Sequence, residues 1–493
     1  MKKPDILLFL SDQHNALFTG YAGHEVVETP NLDKIAAGGT VFDAAYTSSP
    51  LCVPARMSML TNKLPSSTNI FDNGGAIPED EVTFLHSLAA EGYETVFCGR
   101  MHFKGEDQRH GFTKRIMDDI TVNMWGKRQD FGEELGPFNK TLGMGGCLDL
   151  IGGGNSPVLE YDRKVTEAAL NYLDQDHEKP QFLVVGTYGP HFPYVAPLDL
   201  YEYYQEKVEL PHTMKNDINY NQPIIASKEQ KVRNSVLSGK KEKVNKEIIL
   251  KARAAYYGMI TQLDKQIGQV KQKWDEYLNN NQKKGIFIYT SDHGDTAGEN
   301  NIFGKQTFYE GSARIPLIFE GDGIKADNRI ESPVSIMDIG LTLCELTDAV
   351  NPPQPDGKSL LKEISQSKID EERVAICEFI ERYEDKIVPG RMLRKDKWKL
   401  ISYANYNECD LLFNLDDDPH ELNNVIEKYP EKVKELRDLI YEDWDIENVI
   451  ENYRYKKKNQ EILNKWGETA DYQEKERWRI PVEITEIDES NFI

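Results

Sequence analysis

The chain has 493 residues, 39% of them apolar and 29% charged, the composition of a water-soluble globular protein long enough for two domains. Its formal net charge of −23 argues against nucleic acid as a partner, because phosphate backbones are held by basic patches. An anionic substrate stays open, since a few local cations or a metal ion can outweigh the global field.

Met1 to Asp5 are followed by only five apolar residues, 6–10, before Ser11 and Asp12. That run is too short for a secretory signal or a membrane span. The six cysteines, 52, 98, 147, 344, 377 and 409, are dispersed without paired spacing. The expectation is a reduced, cytoplasmic protein with no membrane partner.

In chain order, strand-like apolar runs alternate with amphipathic stretches, the pattern of a sheet covered by helices on both faces. Residues 6–10 read as a buried strand, 31–38 as a helix and 41–46 as a strand. A helix over 83–91, with Thr83 as its cap, precedes a strand at 95–98. A helix at 161–173, a strand at 182–186, a long helix over 248–277 and strands at 285–290 and 315–319 follow. The charged, apolar-poor stretch 227–245 reads as an exposed excursion. From about 375 the character changes to short strands at 374–376, 390–394 and 397–401, with a helix at 430–444. Residues 445–493 read as a charged, aromatic-rich tail. The expected division is 1–374 as a catalytic domain and 375–493 as a smaller one.

Four strand ends deliver reactive side chains, and in open α/β sheets ligands bind beyond the carboxyl ends of the strands. The first ends in Asp12-Gln13. The second is followed by Gly99-Arg100-Met101-His102, the third by Pro190-His191-Phe192-Pro193, and the fourth by Asp292-His293. Taken singly, such an Asp reads as a helix cap and such a His as a surface residue. The most informative stretch is Cys52-Val53-Pro54-Ala55-Arg56, continued by Leu60-Thr61. Pro50 and Pro54 punctuate a helix start. Cys52 is therefore expected at a helix N-terminus, where free N–H groups favour an anion. Arg56 falls one turn further on the same face. The plain alternative is a structural cysteine beside a surface arginine.

This extended pattern resembles the signature of the formylglycine-dependent (type I) sulfatases, in the alkaline phosphatase-like superfamily. Gly99-Arg100-Met101-His102 is similar to the family's Gly-Lys-x-His, with arginine in place of lysine, which keeps the charge but changes its shape. Pro190-His191-x-Pro193 and Gly304-Lys305-x-Thr307-x-Tyr309-Glu310 also resemble family segments, and 107–112 resemble choline sulfatase. Asp410 to Pro419 resemble the end of the family's small C-terminal sheet.

The resemblance implies an α/β sandwich with a large, mostly parallel sheet, plus a smaller C-terminal antiparallel sheet with a helix. It implies hydrolysis of a sulfate ester, of a sugar or another small alcohol, by a formylglycine made from Cys52 by a formylglycine-generating maturation enzyme. Arg56, Arg100, His102, His191 and Lys305 would be catalytic. Asp12, Gln13, Cys52, Asp292 and His293 would hold one divalent cation, Ca²⁺ being preferred and Mg²⁺ or Mn²⁺ the alternatives. The family usually has Asp where Gln13 stands. Gln108, Arg109, His110 and Tyr194 are the candidates for substrate selectivity. The tail packs on its own domain or joins a homo-oligomer. Two other readings remain: a phosphonate monoester or phosphodiester hydrolase, and a non-catalytic binding protein on the same fold.

Overall fold

In a computed structural model the described residues are 3–127, 147–148, 150–213, 245–383, 385–470, 472 and 474–478. An eight-stranded sheet runs in the order Asn328–Ile330, Gly39–Phe42, Leu317–Gly321, Gly285–Ser291, Asp5–Asp12, Gln181–Pro190, Glu94–Gly99, Lys114–Met117. All neighbours are parallel except that Leu317–Gly321 runs antiparallel to both of its own.

The central strand shows why residues 6–10 are apolar without interruption. Ile6, Leu8 and Leu10 join one buried cluster, and Leu7 and Phe9 join the cluster on the other face. A strand covered on both sides alternates its side chains between two cores. The first core is shared with Val53, Met57, Phe84 and Leu343. The second is shared with Leu32, Tyr161, Val165, Ile267 and Trp274. These residues come from helices that flank the sheet. Pairing of the central strand with Gln181–Pro190 slips between Leu10 and Asp12, so the ladder opens where the reactive residues begin.

A second, four-stranded antiparallel sheet follows chain order through Val374–Tyr383, Lys386–Lys395, Trp398–Tyr403 and Leu411–Asn414. Leu393, Leu400 and Leu412 meet Val433, Leu436 and Ile440 of the helix Pro430–Tyr441. The sheet's other face packs on Tyr46, Leu51 and Phe308.

Three expectations change. Residues 41–46 form two strands, Gly39–Phe42 in the large sheet and Ala45–Tyr46 beside Val334–Ser335. Asp43 sits at the break, paired with Arg329. The long helix spans Lys246–Asn281, started by the Asn245 side chain accepting from the Ile248 N–H. The tail contains a helix, Ile446–Thr469, whose few buried residues left little periodic signal. Residues 227–244 and Arg479 lie outside the described residues. Among the described residues no helix is long and apolar enough to cross a membrane.

Candidate active site

The predicted catalytic and metal-binding residues lie at strand ends or on the loop or helix start beside them, except Lys305, which lies on the loop after the short helix Glu299–Asn301. Asp12 closes the central strand and is fully buried. Gln13 takes the left-handed backbone region (φ 68°). Its N–H donates to Asp292 Oδ1 (3.1 Å), and its carbonyl accepts from the Tyr256 hydroxyl (2.6 Å). Cys52 is the first residue of the helix Cys52–Thr61, as expected. Arg56, one turn on, is no surface residue but wholly buried. Its Nε donates to Asp292 Oδ2 (2.8 Å), one terminal nitrogen to Asp12 Oδ2 (3.1 Å) and the other to the Arg100 carbonyl (2.9 Å). One guanidinium thus ties two strand ends together, a use of its planar fork that lysine could not match.

Arg100 donates from Nε to the same Asp12 oxygen (2.8 Å) and lies 4.3 Å over the Tyr188 ring. Its Nη2 donates to His102 Nδ1 (3.0 Å). Lys305 points its ammonium at Cys52 Sγ (2.9 Å) and lies 3.2 Å from His293 Nε2. His293 Nε2 is 3.3 Å from the same sulfur. His191 donates from Nδ1 to the Phe192 carbonyl (2.7 Å), which leaves Nε2 bare.

The electrostatics follow from burial and crowding. Burial pushes Asp12 up, but Arg100, His191, Lys305 and Arg56 outweigh it and hold the carboxyl well below its usual range. Burial, and then Asp12, push the Cys52 thiol up. Burial pulls Lys305 down, but Cys52, Asp12 and Asp292 more than offset it. Burial and Lys305 hold His191 well below the ordinary imidazole range, and burial and Arg100 do the same to His102. Burial lowers His293 to about 4, against the pull of Asp292. Burial thus favours the neutral form of all three imidazoles.

Two buried polar atoms in this cluster have no hydrogen-bond partner: Gln13 Oε1 and Arg100 Nη1. Unpaired buried polar groups are costly, so each of these atoms is free to bond a ligand or ion. Asp295 fixes the Gln13 amide by accepting from its Nε2 (2.5 Å), so the orphan is the oxygen. Asp12, Cys52, Asp292 and His293 offer ligand atoms all within 4.8 Å of one another. Two carboxylates, an imidazole and a free amide oxygen fit a divalent cation. An unpaired guanidinium N–H fits an anion.

The four residues expected to set selectivity hold partners away from Cys52, while Gln108 Oε1 and His110 Nε2 have none. The Tyr194 hydroxyl donates to Asp295 Oδ2 (2.6 Å) from a fully buried position. Gln108 donates to the Gly105 carbonyl (2.8 Å). Arg109 is paired with Glu476 (2.8 Å), and His110 with Asp107 (3.2 Å). None of these contacts reaches Cys52.

Sequence reasoning passed over the residues that aim the others. Asp295 also accepts the N–H groups of Ala297 (2.8 Å) and Gly304 (2.9 Å), and so steadies the loop that carries Lys305. Its position two residues after His293 was the available signal. Asp162 accepts the N–H groups of Tyr188 and Gly189 (both 2.7 Å), just before His191. Asp119 accepts the N–H of His102 (2.7 Å). Nothing in the sequence marks these last two.

Two family models match: the sulfatase family over residues 4–349, and the C-terminal region of N-sulphoglucosamine sulphohydrolase over 298–445. The chain is 30% identical over 474 residues to a choline-sulfatase of Rhizobium meliloti, covering 90% of this chain and 88% of that one. It is 31% identical over 473 residues to an arylsulfatase of Clostridium perfringens, covering 90% and 94%. Among solved structures, a 2-O GAG sulfatase superposes with a TM-score of 0.68 at 21% identity, covering 92% and 94%. The phosphonate monoester hydrolase of Agrobacterium radiobacter superposes at 0.69 with 19% identity, covering 94% and 96%. With its signature cysteine seated among these charges, the chain belongs to the sulfatase family and is a sulfuric ester hydrolase.

Proposed function

We propose that this sulfatase cleaves a small sulfate ester with Cys52, oxidised to formylglycine, as nucleophile and one divalent cation bound by Asp12, Gln13, Asp292 and His293. The observation that carries the reading is the coincidence, around one sulfur atom, of the ligand cluster and the Lys305 ammonium, with an orphan amide oxygen on Gln13 next to Asp12 in the chain. The cation, Ca²⁺ before Mg²⁺ or Mn²⁺, supplies Lewis acidity toward sulfate oxygens. The matured residue supplies a hydrated aldehyde, one hydroxyl of which takes the sulfuryl group while the other later drives sulfate out. Cys52 Sγ stands in for a hydroxyl oxygen of that hydrate.

The chain's other groups divide the work. Lys305 and Arg100, with its free Nη1, meet the negative sulfuryl oxygens, and each well-placed donor is worth about 3–4 kcal/mol to such a transition state. Arg56 holds Asp12 and Asp292 in place. His191 protonates the leaving oxygen from Nε2, the atom left bare by its Nδ1 contact. A sulfate ester beside it counters the burial and the Lys305 charge that keep it neutral in the free protein. His102 takes the remaining hydroxyl proton at Nδ1 once Arg100 turns its Nη2 toward the anion.

The chemistry is assigned to residues 1–374, with 375–493 in support. The reading includes maturation by a formylglycine-generating enzyme and a cytoplasmic location, which cysteines dispersed in sequence without paired spacing support. The phosphonate or phosphodiester alternative needs the same groups around a tetrahedral anion. The two curated relatives named above are both sulfatases, which favours the sulfate ester. The test is a panel assay of matured protein with choline sulfate, an aryl sulfate, sulfated mono- and disaccharides and a phosphonate monoester. Highest kcat/KM on a sulfate ester is expected. Highest kcat/KM on the phosphonate would overturn the assignment.

A further inference from the structure

Residues 474–478, beyond the helix Ile446–Thr469, have no part in the mechanism above. They run back across the segment that follows His102. The Asp119 N–H donates to the Glu476 carbonyl (3.2 Å), and the Trp478 N–H donates to the Asp119 carbonyl (2.9 Å). These bonds make Asp119 and Arg477 a parallel β-bridge. Asp119 is also the residue that fixes His102. Its Oδ2 accepts the N–H groups of Met101 (3.0 Å) and His102 (2.7 Å), and its Oδ1 accepts the Thr121 N–H (2.8 Å) and hydroxyl (2.6 Å). His102 sits at φ 63°, a conformation disfavoured for a residue with a Cβ and held only where surroundings impose it.

The tail is anchored on both sides of this bridge. Glu474 accepts the Asn123 N–H (2.9 Å), and the Lys475 carbonyl accepts the Asn123 amide (2.6 Å). Glu476 pairs with Arg109 (2.8 Å) and Arg115 (3.3 Å), and Arg115 in turn donates to the Gly99 carbonyl (3.3 Å). The Trp478 ring lies 5.3 Å from that of Tyr161, whose hydroxyl donates to the Asp118 carbonyl (2.8 Å). The preceding helix presses on the same segment. The Gly126 N–H donates to Asn464 Oδ1 (3.1 Å), and Gly467 lies so close to the Trp125 carbonyl that no Cβ would fit.

We infer that residues 474–478 are a positioning strap for His102: pairing of the tail with Asp119 holds the His102 backbone where its ring serves the release of sulfate. In that step the free hydroxyl of the sulfated residue gives its proton to His102. The C–O bond to sulfate breaks, sulfate leaves with the electron pair, and the aldehyde re-forms. The inference rests on the proposed role of His102.

The consequence has a kinetic signature that a merely structural role does not produce. When release alone slows, kcat and KM fall together and kcat/KM is unchanged, and the alcohol appears in a burst before the steady state. Loss of folded protein lowers kcat and kcat/KM together and leaves KM alone. The experiment compares metal-loaded, matured full-length protein with a chain ending at Ala470, with Trp478→Pro, with Trp478→Ala and with His102→Ala, on one aryl sulfate. Trp478→Pro removes the N–H that bonds Asp119, whereas Trp478→Ala keeps it. The shortened chain and Trp478→Pro are expected to show the burst and a fall in kcat of up to about a hundredfold, the scale of a small misplacement of a catalytic group. Trp478→Ala is expected to fall less. If the shortened chain does not fold, Trp478→Pro decides. A burst and a lowered KM in His102→Ala, beside unchanged KM and no burst in both strap variants, would overturn the inference alone. No burst in His102→Ala would overturn the role of His102 and the inference with it.

Discussion

Two buried clusters of charge in this molecule have much in common and different fates. Around Cys52, Asp12 meets Arg56 and Arg100 with Lys305 near by. Where the four-stranded sheet meets the short helix Glu310–Ala313, Lys399 lies 2.8 Å from Glu310 and 2.7 Å from Glu421, all three buried. Both clusters perturb their groups strongly. Burial raises Glu421 to about 7 despite Lys399, while Lys399 and Arg314 outweigh burial at Glu310 and hold it low. Shifted ionisation alone would make either cluster a candidate site. The difference is the ligand set. The oxygens of Glu310 and Glu421 lie beside Lys399, Tyr46, Arg314 and the Glu310 N–H, although Glu421 Oε1 makes no hydrogen bond. Around Cys52, Asp12, Asp292 and His293 join the sulfur in offering ligand atoms all within 4.8 Å of one another. A convergent set of ligand atoms, more than charge, separates a place for ligands from a structural clasp.

This contrast can be broken at either end. The largest effect is expected from Asp292→Ala, which removes a metal ligand and the partner of Arg56. Metal content and turnover should be lost together, and full occupancy by elemental analysis would remove Asp292 from the site. Next, His191→Ala should slow esters of poor leaving groups far more than an activated aryl sulfate, on the order of 10²–10⁴-fold for the former. Equal losses across a leaving-group series would deny it the role of acid.

The Lys399 cluster should answer in stability rather than in chemistry. Lys399→Met leaves two buried carboxylates facing each other and should cost about 3–5 kcal/mol in denaturant unfolding. The kcat per folded molecule should be retained, and a loss confined to kcat would show that the clasp takes part in catalysis. Smallest is the pH effect of Glu421. Its folded-state value of about 7 lies above the ordinary carboxyl value. The stability it contributes is therefore full below the unfolded value and is lost as pH rises through about 7. Between pH 6 and 8 this amounts to about 1 kcal/mol. Glu421→Gln should flatten that part of the stability profile, and an unchanged slope would count against the shift.

What could be read in the sequence follows the same line. Cys52, His102, His191, Asp292 and Lys305 were legible because strand ends and the cysteine motif mark them locally. The alternating cores of the large sheet were legible from uninterrupted apolar runs. Contacts between residues distant in sequence were not legible. Asp119 reaches His102 across 17 positions, and Asp162 reaches Tyr188 across 26. The tail meets Asn123 across 351. The helix Ile446–Thr469 escaped because it buries only Val449, Tyr453 and Gly467. Gln108, Arg109 and His110 were chosen for lying next to His102 in sequence, but their side chains turn toward Gly105, Glu476 and Asp107 instead.

The central claim is that Cys52 acts as an oxidised residue set among groups with unfilled bonding capacity. The most direct measurement is turnover against the aldehyde content of residue 52, from peptide mass spectrometry, in preparations made with graded amounts of maturation enzyme and in Cys52→Ala. The account predicts a line through the origin, with folded Cys52→Ala at zero. Turnover that persists without aldehyde, or in Cys52→Ala, would contradict it.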